Sequence, residues 1–569
     1  FMNKEYLLKQ FLLRKVFPLF GFTEEKILSI ENKELEKSRF CNFSNESNEI
    51  RKELIKNRPV YLEHSKNGEI LHFGTDSSYK YFFSLKLDRE FDSDMINLMR
   101  YILMSFSIAL KANKGIFDKK ENIVLEDNYL EIIFNHSIQK GICKWITGNI
   151  SESTSEMEKL LSILENWSNK TYEGHNVSFG ILYDPTKSNK SVNSVKYVNS
   201  FTDFLSSEYS AVLSDGITSL IRINKDCEFV KYESITENNK IYGCNYNKLV
   251  LPYRFLQVIE KNVTEQNIGI FLLNNGDIFL AKNKQIYFIK RNNKWLNFNH
   301  NVFSRIISEN VKKFTISKIQ YKMSKRQKLL KTIFSTTLDV SLAHTGGIIS
   351  VVNYNKNKDK LNKIISPIDN IYENKDISEL YMDEIFKLIN DLLKDENKKS
   401  TLDTIKSIPE FSEYCPIEKN RLKHENFKDV FNHHISLFND LVNAMLQNIA
   451  EFRSREKDLR KRLTKRHMIL KLLEDSSKET STRMDLLNFI KIDKKLKAEL
   501  IGLDGACIMD LSGEIIAFGA IIENDAGSSG GGRGAAAKKL SNFNGFSIKI
   551  STDGYIEVYV NYKKIYVIK

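Results

Sequence analysis

Residues 526–541 read AGSSGGGRGAAAKKLS. Gly and Ser fill positions 527–532, and Arg533 follows them. A run of Gly and Ser is usually a flexible linker. A phosphate-binding loop has the same composition, but it follows a strand and leads into a helix whose first N–H groups attract an anion. The flanking sequence has to distinguish the two interpretations.

The flanking residues favour the loop. Apolar, β-branched runs predict two strands before the stretch, at LDGACIMD (503–510) and GEIIAFGAIIEN (513–524). RGAAAKKLSNF (533–543) predicts a short helix, and the runs GFSIKIS and YIEVYV predict two further strands. The stretch therefore lies between a strand that ends near Glu523 and a helix that begins near Arg533, which is the setting of a phosphate loop.

Three short motifs follow one another in this α/β unit. They are Asp504-Gly505-Ala506, the loop with Arg533, and a predicted hairpin that carries Ser551 and Asp553. An Asp-Gly pair alone is usually only a turn. Together, two carboxylates and an arginine suit a metal–nucleotide site, because Asp can bind Mg²⁺ or Mn²⁺ and Arg can neutralise phosphate charge.

In this order the motifs resemble the nucleotide-binding domain of diadenylate cyclases, the family of the DNA-integrity-scanning protein and other cyclic di-AMP synthases. The stretch AHTGGIISVV (343–352) is similar to the helix–turn–strand that leads this domain in the family. The resemblance covers about 324–356 and 481–569. The residues between, 357–480, have no counterpart in it.

The resemblance implies that two domains face each other, each with one ATP. Each ribose 3′-hydroxyl then attacks the α-phosphate of the other ATP, and pyrophosphate leaves. It implies catalytic roles for Asp504 and Arg533, and a metal held by Asp504 and Asp553. The nucleotide contacts that it implies are Gly505, Ala506, Gly531, Gly532, Gly534, Ser551, Thr345 and Gly346.

One departure from the family concerns the loop. Where the family carries Arg-His-Arg, this chain has Arg533-Gly534-Ala535. Lys538 or Lys539 could supply the missing charge, although an ammonium does not replace a bidentate guanidinium. Two hypotheses follow: an active cyclase, and a related domain that binds a nucleotide without turning it over.

The whole chain is predicted to be an α/β (α+β) multidomain protein. Residues 1–320 form an α+β region with a potential break near 170, because strands and tight turns replace helical patterns from about 175. Residues 321–356 and 481–569 form the cyclase-like domain, a mixed sheet flanked by helices. Residues 357–480 form a mainly helical insertion.

The first region resembles sensor domains found upstream of diadenylate cyclase domains, so an unidentified signal ligand is implied. The resemblance lies in SDGITSLIRINKDCEFVKYESI (214–235) and in the hairpin-rich run from 267 to 298. Asp215-Gly216 is similar to Asp504-Gly505, which is consistent either with a duplication or with an ordinary hairpin turn.

Composition limits the partners. The net charge is +13 over 569 residues, but Lys and Asn are common throughout rather than concentrated in one patch. A predicted basic helix at 453–471 could bind nucleic acid, although a solvated helix face explains such charges more often. The six cysteines form no CxxC, and His344 and His433-His434 lack metal spacing.

A cytoplasmic protein without a membrane segment is expected. Charged residues interrupt the N-terminal apolar run, so it does not resemble a signal peptide. The most apolar window, residues 95–110, contains Arg100 and is shorter than the roughly 20 residues of a membrane span. It is predicted to be a buried helix.

Overall fold

The computed structural model shows a mixed α+β protein that divides into two compact units. The first comprises Phe1–Lys318 with Tyr555–Glu557 and Ile565–Lys569, and the second Ile319–Gly554 with Val558–Lys564. The residues that the structure describes are 4–21, 40–44, 48–65, 68–74, 81–87, 93–113, 127–172, 175–187, 201–206, 211, 213–235, 251–297, 299–311, 325–372, 375–394, 398–476, 487–522 and 531–568.

The first unit begins with helices and a four-stranded sheet. Helix α1 (Lys4–Phe11) continues as a π-helix and a 3₁₀-helix to Phe20. Residues 4–20 are thus helical, and residues 22–39 lie outside the described residues. Strands β1 (Phe40–Ser44), β2 (Val60–Ser65), β3 (Gly68–Gly74) and β4 (Tyr81–Leu87) pair in the order β1-β4-β3-β2, and α2 (Asn48–Lys56) precedes β2.

Three long helices follow: α3 (Ser93–Ala112), α4 (Asp127–Thr147) and α5 (Ser151–Ser168). Gly148 and Asn149 both adopt positive φ, so α4 ends at Thr147 and α5 begins as a separate helix. Helices α3 and α4 pack closely at Gly141, where a Cβ atom would lie 2.6 Å from Cα of Ile102.

Helix α3 contains the apolar window 95–110. It is 20 residues long and apolar enough to cross a membrane by length and composition, so the argument from a short window was wrong. However, 56 % of its apolar window is buried inside the protein. Its apolar residues belong to the large core of the first unit, as predicted for a buried helix.

A seven-stranded sheet completes the first unit. After the short pair β5 (Thr171–Tyr172) and β6 (His175–Asn176), its strands are β7 (Phe179–Tyr183), β8 (Ser219–Ile223), β9 (Phe229–Ser234), β10 (Ile268–Leu272), β11 (Ile278–Lys282), β12 (Gln285–Arg291) and β13 (Lys294–Asn297). Helices α6 (Phe201–Leu205), α7 (Leu251–Asn262) and α8 (His300–Asn310) lie between or after them. Most of these strands are buried on both faces.

Most of a six-stranded sheet belongs to the second unit, although parts of its last two strands are assigned to the first. Helix α9 (Lys325–Leu342) leads into β14 (Gly347–Val352). After a long helical segment, α17 (Lys494–Ile501) leads into β15 (Ala506–Asp510) and β16 (Ile515–Ala520). Helix α18 (Gly531–Leu540) precedes β17 (Phe546–Ile550), β18 (Ile556–Val560) and β19 (Lys563–Ile568). The strand order is β16-β15-β14-β17-β18-β19.

The helical segment between β14 and α17 corresponds to the predicted insertion. It comprises α10 (Tyr354–Ile364), α11 (Ile377–Leu392), α12 (Lys398–Lys406), α13 (Pro409–Tyr414), α14 (His424–His433), α15 (Ile435–Asn448) and α16 (Ala450–Ser476). The last six helices share their own apolar core. The apolar residues from Phe427 to Phe452 line this core, and three helices carry them, α14, α15 and the start of α16.

The two large sheets repeat one arrangement of strands. Read from one edge, the first is β9-β8-β7-β10-β11-β12-β13 and the second is β16-β15-β14-β17-β18-β19. In both, the second and third strands are parallel, and the third and fourth are antiparallel. In both, the connection from the first strand to the fourth contains a helix, α7 or α18. This shared arrangement is the one that an internal repeat would produce.

The hairpin turns repeat as well. In the β8–β9 turn, the amides of Asp226 and Glu228 both donate to Oδ1 of Asn224 at 2.9 Å. In the β15–β16 turn, the amides of Ser512 and Glu514 donate to Oδ1 of Asp510 at 2.8 and 2.9 Å. The turns after β10 and β17 both end on a glycine of positive φ, Gly276 and Gly554.

Asp215 is a turn residue. Its Oδ1 accepts hydrogen bonds from the amides of Ile217, Thr218 and Ser219, at 2.8, 2.7 and 3.0 Å. These bonds, with one from the Thr218 hydroxyl, lower the pKa of Asp215 although partial burial acts to raise it. The alternative of an ordinary turn is therefore correct for this carboxylate, while the strand order supports duplication of the surrounding sheet.

Candidate functional site

One edge of the six-stranded sheet brings the predicted motifs together. Ile348 of β14 pairs with Ala506 at the start of the parallel strand β15. Gly347 pairs with Ile550 at the end of the antiparallel strand β17. Three segments therefore lie side by side at the same edge of the sheet. They are Thr345-Gly346 before β14, Asp504-Gly505 before β15 and Ser551–Asp553 after β17.

Arg533 reaches this edge from the first turn of α18. Its Nη1 lies 2.6 Å from the point that a Cβ of Gly346 would occupy, so the guanidinium packs directly on the turn before β14. Gly346 has a φ of 70°, which a side chain would strain in any case. Arg533 is half-buried and has no carboxylate or hydrogen-bond partner among the described residues. An unpaired, half-buried guanidinium is a group suited to an anionic ligand.

Asp504 is exposed at the start of β15. Its carboxylate takes part in no hydrogen bond or ion pair with any described residue. The neighbouring acids differ: Asp510 holds the β15–β16 turn, and Asp369 is paired with Arg462 at 3.0 Å. Asp504 is therefore available for a ligand, whereas these two acids have structural partners.

Gly505 and Ala506 have structural reasons to be small. Gly505 has a φ of 110°, and a Cβ there would lie 2.4 Å from the carbonyl carbon of Gly519. Ala506 is fully buried. Gly505 thus lets strands β15 and β16 approach each other. The implied role of both residues, room for a ribose, stays a prediction.

Ser551 and Asp553 lie in the turn between β17 and β18. The amide of Gly554 donates to the carbonyl of Ser551 at 3.0 Å and closes this turn. The Ser341 hydroxyl donates to the carbonyl of Gly554 at 2.5 Å, and Nδ1 of His344 lies 3.0 Å from the carbonyl of Thr552. The end of α9 and the turn that follows it thus hold the β17–β18 turn, while the Asp553 carboxylate is exposed and unpaired within the described part of the chain.

The glycine-rich stretch is described from Gly531 onward. Gly531 and Gly532 are the first two residues of α18, and Gly534 follows Arg533 in the same helix. A Cβ at Gly532 would meet nothing within 4 Å, so open space surrounds this position. The predicted strand ends at Ala520 rather than near Glu523, and residues 523–530 lie outside the described residues.

Sequence reasoning missed Lys465 of α16. Its Nζ donates to the carbonyl of Asp504 at 3.2 Å and to that of Gly519 at 2.9 Å. The one signal in the sequence was the spacing of Arg462, Lys465 and Arg466, which places three cations on one helix face. The expectation of a solvated face is wrong for these three, since Arg466 is only 3 % exposed and donates to the carbonyls of Ile368 and Asn370.

The other basic residues of α16 are exposed, as predicted. Most are occupied by near neighbours: Arg455 contacts Asp391 and Glu451, Arg460 contacts Glu456, and Lys461 contacts Asp458. Arg453 donates to the carbonyls of Leu446 and Gln447. This pattern of local contacts does not favour a nucleic-acid interface.

Lys538 and Lys539 do not supply the positive charge that the loop lacks beside Arg533. Both lie in the last turn of α18, whereas Arg533 lies in its first. A rise of about 1.5 Å per residue separates them from Arg533 by roughly 8 Å along the axis, and Lys538 faces away by about 140°. Lys465, by contrast, binds the carbonyl of Asp504 at this edge.

The carboxylates at the edge suit a hard divalent cation in type. Asp504 precedes β15 and Asp553 follows β17, and β14 lies between these two strands, so their backbones lie roughly 10 Å apart, at two strand spacings. The described residues contain no group of three or more His, Cys, Asp or Glu side chains that could hold a metal. Mg²⁺ is often bound by one or two carboxylates together with phosphate oxygens, so two unpaired carboxylates fit it only with a nucleotide present.

A separate polar chain crosses the four-stranded sheet. Nδ1 of His72 lies 2.6 Å from the Ser84 hydroxyl, and Nε2 lies 2.8 Å from the Glu63 carboxylate. Ser84 is only 5 % exposed and His72 only 2 %. A substrate has no access to this serine, so the chain is structural despite its likeness to a hydrolase triad.

We expect acid to destabilise the first unit through His72. Burial lowers the pKa of His72 below 6.5, although Glu63 acts to raise it. A depressed pKa favours the neutral ring in the folded state, so this stability is complete above pH 6.5 and is lost as the pH falls through the folded pKa. Thermal unfolding midpoints at pH 7.5 and 5.5 should differ more for the wild type than for His72→Gln. Equal differences in the two proteins would contradict this expectation.

The site is thus defined by two unpaired, oppositely charged groups, Asp504 and Arg533, at one sheet edge. The geometry suits an anionic ligand with a hydroxyl group, and the likeness of its motifs to diadenylate cyclases stays a prediction. No family model, curated protein or solved structure matches the chain.

Proposed function

We propose that the chain is a sensor-regulated diadenylate cyclase that condenses two ATP molecules into cyclic di-AMP. In each half-reaction a ribose 3′-oxygen forms a bond to the α-phosphorus of the other ATP. The bond from that phosphorus to the bridging oxygen breaks, and pyrophosphate leaves. Two such steps close the ring and release two pyrophosphates and two protons.

This proposal depends on one observation. Asp504 and Arg533 lie at the same edge of the sheet, and neither side chain forms an ion pair with a described residue. A structural ion pair would have neutralised each of them, as it does Asp369 with Arg462. In-line phosphoryl transfer needs positioning and charge neutralisation more than covalent help, and these two groups supply them.

Each group has a role that follows from its chemistry. The Asp504 carboxylate would orient the 3′-hydroxyl and accept its proton. The Arg533 guanidinium would hold phosphate oxygens, and the N-terminal end of α18, from Gly531, adds the positive end of a helix dipole. Ser551 and Thr345 would contact the nucleotide from the adjoining turns, with Gly346 leaving space for Arg533.

The proposed reaction also requires a metal ion, a second nucleotide site that faces the first, and a signal ligand. Mg²⁺ or Mn²⁺, held by Asp504 and Asp553 with the phosphates, would neutralise charge on the leaving group when bound. Two nucleotide sites must face each other, so we propose a homo-oligomer. The first unit would read an unidentified signal ligand, and the reaction would take place in the cytoplasm.

A second candidate function is a nucleotide sensor without turnover. It is favoured by Gly534-Ala535, which leaves a single arginine in the loop where the family has two. The same edge would then bind the nucleotide through Arg533 and report its presence. The availability of the Asp504 carboxylate favours the enzyme, because binding a phosphate alone does not call for an acid.

Mass spectrometry of the products tests the proposal. We expect the full chain, incubated with ATP and Mg²⁺ or Mn²⁺, to yield cyclic di-AMP. Asp504→Asn should lower the rate at least roughly 100-fold, the usual effect of removing a general base. Asp458→Asn is the matched control, since Asp458 is a 69 % exposed acid in α16 that pairs with Lys461.

The result also separates the two functions. Nucleotide binding without product, across metals and protein concentrations, would support the sensor and reject the enzyme. If Asp504→Asn and Asp458→Asn both formed product at the wild-type rate, Asp504 would have no role in the site. Because two facing domains are required, the rate per protein should rise with protein concentration until the oligomer is saturated.

A further inference from the structure

Lys465 lies beside Asp504 at the candidate edge. It is carried by α16, far from the edge in sequence, and its Nζ binds the carbonyls of Asp504 and Gly519 at 3.2 and 2.9 Å. Asp504 starts β15, and Gly519 lies in the neighbouring strand β16. Since the order is β16-β15-β14, Asp504 lies between Lys465 on one side and Arg533, over the turn before β14, on the other.

Gly519 of β16 leaves space for the side chain of Lys465. Gly519 has a φ of 58°, and a Cβ there would lie 2.2 Å from Nζ and 2.6 Å from Cε of Lys465. The β15–β16 pairing shifts register between Ala506 and Ile508, next to this crossing. Bulges of this kind are common beside active sites, where they redirect a side chain or end a pairing. The end of the Lys465 side chain therefore lies against β16 at Gly519, in space that a side chain at position 519 would occupy.

The ammonium group of Lys465 is positively charged, and one of its three N–H donors has no acceptor among the described residues. It has three N–H groups, and the two described hydrogen bonds go to neutral backbone carbonyls. No carboxylate among the described residues accepts a hydrogen bond from it. Burial lowers the pKa of Lys465, while the carboxylates of Asp369 and Asp504 act to raise it. A half-buried cation without an ion pair pays a desolvation penalty that an anionic ligand would offset.

Attachment of α16 to the sheet does not by itself explain Lys465. Arg462 already pairs with Asp369 at 3.0 Å, and Arg466 already binds the carbonyl of Ile368 at 3.0 Å, in the segment after α10 whose Asn370 forms a β-bridge with Ala517 of β16. Both fix the same helix face within one turn of Lys465. We propose that Lys465 is a second phosphate-binding cation of the candidate site, supplied by the insertion in place of the arginine that the loop lacks. This proposal rests on nucleotide binding at the site.

Binding of ATP and of adenosine to the full chain tests the role of Lys465. We expect Lys465→Gln to weaken ATP binding roughly tenfold or more, the usual effect of losing a hydrogen bond to a charged group. Adenosine, which has no phosphate, should bind Lys465→Gln as it binds the wild type. Lys465→Arg should restore most of the ATP affinity. Lys461→Gln is the control, because Lys461 is 68 % exposed one turn earlier in α16.

A second measurement avoids any folding defect of the variant. Acetylation of lysines in the wild-type protein, read by mass spectrometry, should be slowed at Lys465 by ATP but not by adenosine, and unchanged at Lys461. Equal affinities of Lys465→Gln and wild type for ATP, or labelling of Lys465 that ATP does not slow, would overturn the proposal. If the wild type binds ATP through Arg533 but not Lys465, this inference alone fails. If the wild type binds no nucleotide, the proposed function fails with it.

Discussion

Arg533→Ala is expected to weaken ATP binding roughly 10- to 100-fold and to remove most cyclic di-AMP formation. The guanidinium lies over Gly346 at the edge where Asp504 begins β15, and no described carboxylate neutralises it. A hydrogen bond to a charged group contributes about 1.5–3 kcal/mol, which corresponds to that range of affinity. Isothermal titration with ATP and the product assay measure the two effects.

Two further variants give this prediction its controls. Arg533→Lys should bind ATP with intermediate affinity, since an ammonium keeps the charge but loses the bidentate geometry. Arg455→Ala should bind as the wild type does, because Arg455 is 44 % exposed and contacts only Asp391 and Glu451 at the surface of α16. Wild-type affinity in Arg533→Ala would show that the phosphate-binding interpretation of the loop is wrong.

Gly505→Ala should destabilise the second unit by about 3 kcal/mol or more. The backbone at Gly505 has a φ of 110°, a conformation that costs a residue with a side chain about 1–3 kcal/mol. The new Cβ would also lie 2.4 and 2.5 Å from the carbonyl carbon and oxygen of Gly519. Backbone cannot rotate away as a side chain can, so β15 and β16 must separate, with a further cost of about 1–3 kcal/mol.

The matched control is Gly532→Ala in the same candidate site. A Cβ at Gly532 meets nothing within 4 Å, and alanine favours a helix over glycine by up to about 1 kcal/mol. Thermal or denaturant unfolding should therefore show a loss for Gly505→Ala and no loss for Gly532→Ala. An unfolding midpoint of Gly505→Ala equal to the wild type would contradict the close approach of the two strands.

The local elements of the site could be predicted because short patterns determine them. The β-branched run after Thr345-Gly346, the apolar run from Ala506 and the alanine-rich helix after Arg533 each form as expected. Their meeting at one edge could not be derived from these patterns. It depends on β14 pairing in parallel with β15 and antiparallel with β17, across more than 150 residues of chain.

Contacts between distant segments escaped sequence reasoning for the same reason. A basic helix such as α16 looks solvated when only its own residues are considered. Whether Lys465 meets water or the carbonyl of Asp504 depends on how the insertion packs, 39 residues away from that carbonyl. The break between α4 and α5 is different, since Gly148 followed by Asn149 is a recognisable end of a helix.

The two large sheets of this chain share one strand order, so equivalent positions in them can be compared directly. Where the two sheets agree, folding alone is a sufficient reason: Gly276 and Gly554 both adopt positive φ at the same place in equivalent turns, as do Asn283 and Asn561 in the next turn of each sheet. The residue before this glycine is Asn275 in one sheet and Asp553 in the other. Because Asn275 occupies the same turn position without a carboxylate, the fold of the turn does not by itself require the carboxylate of Asp553.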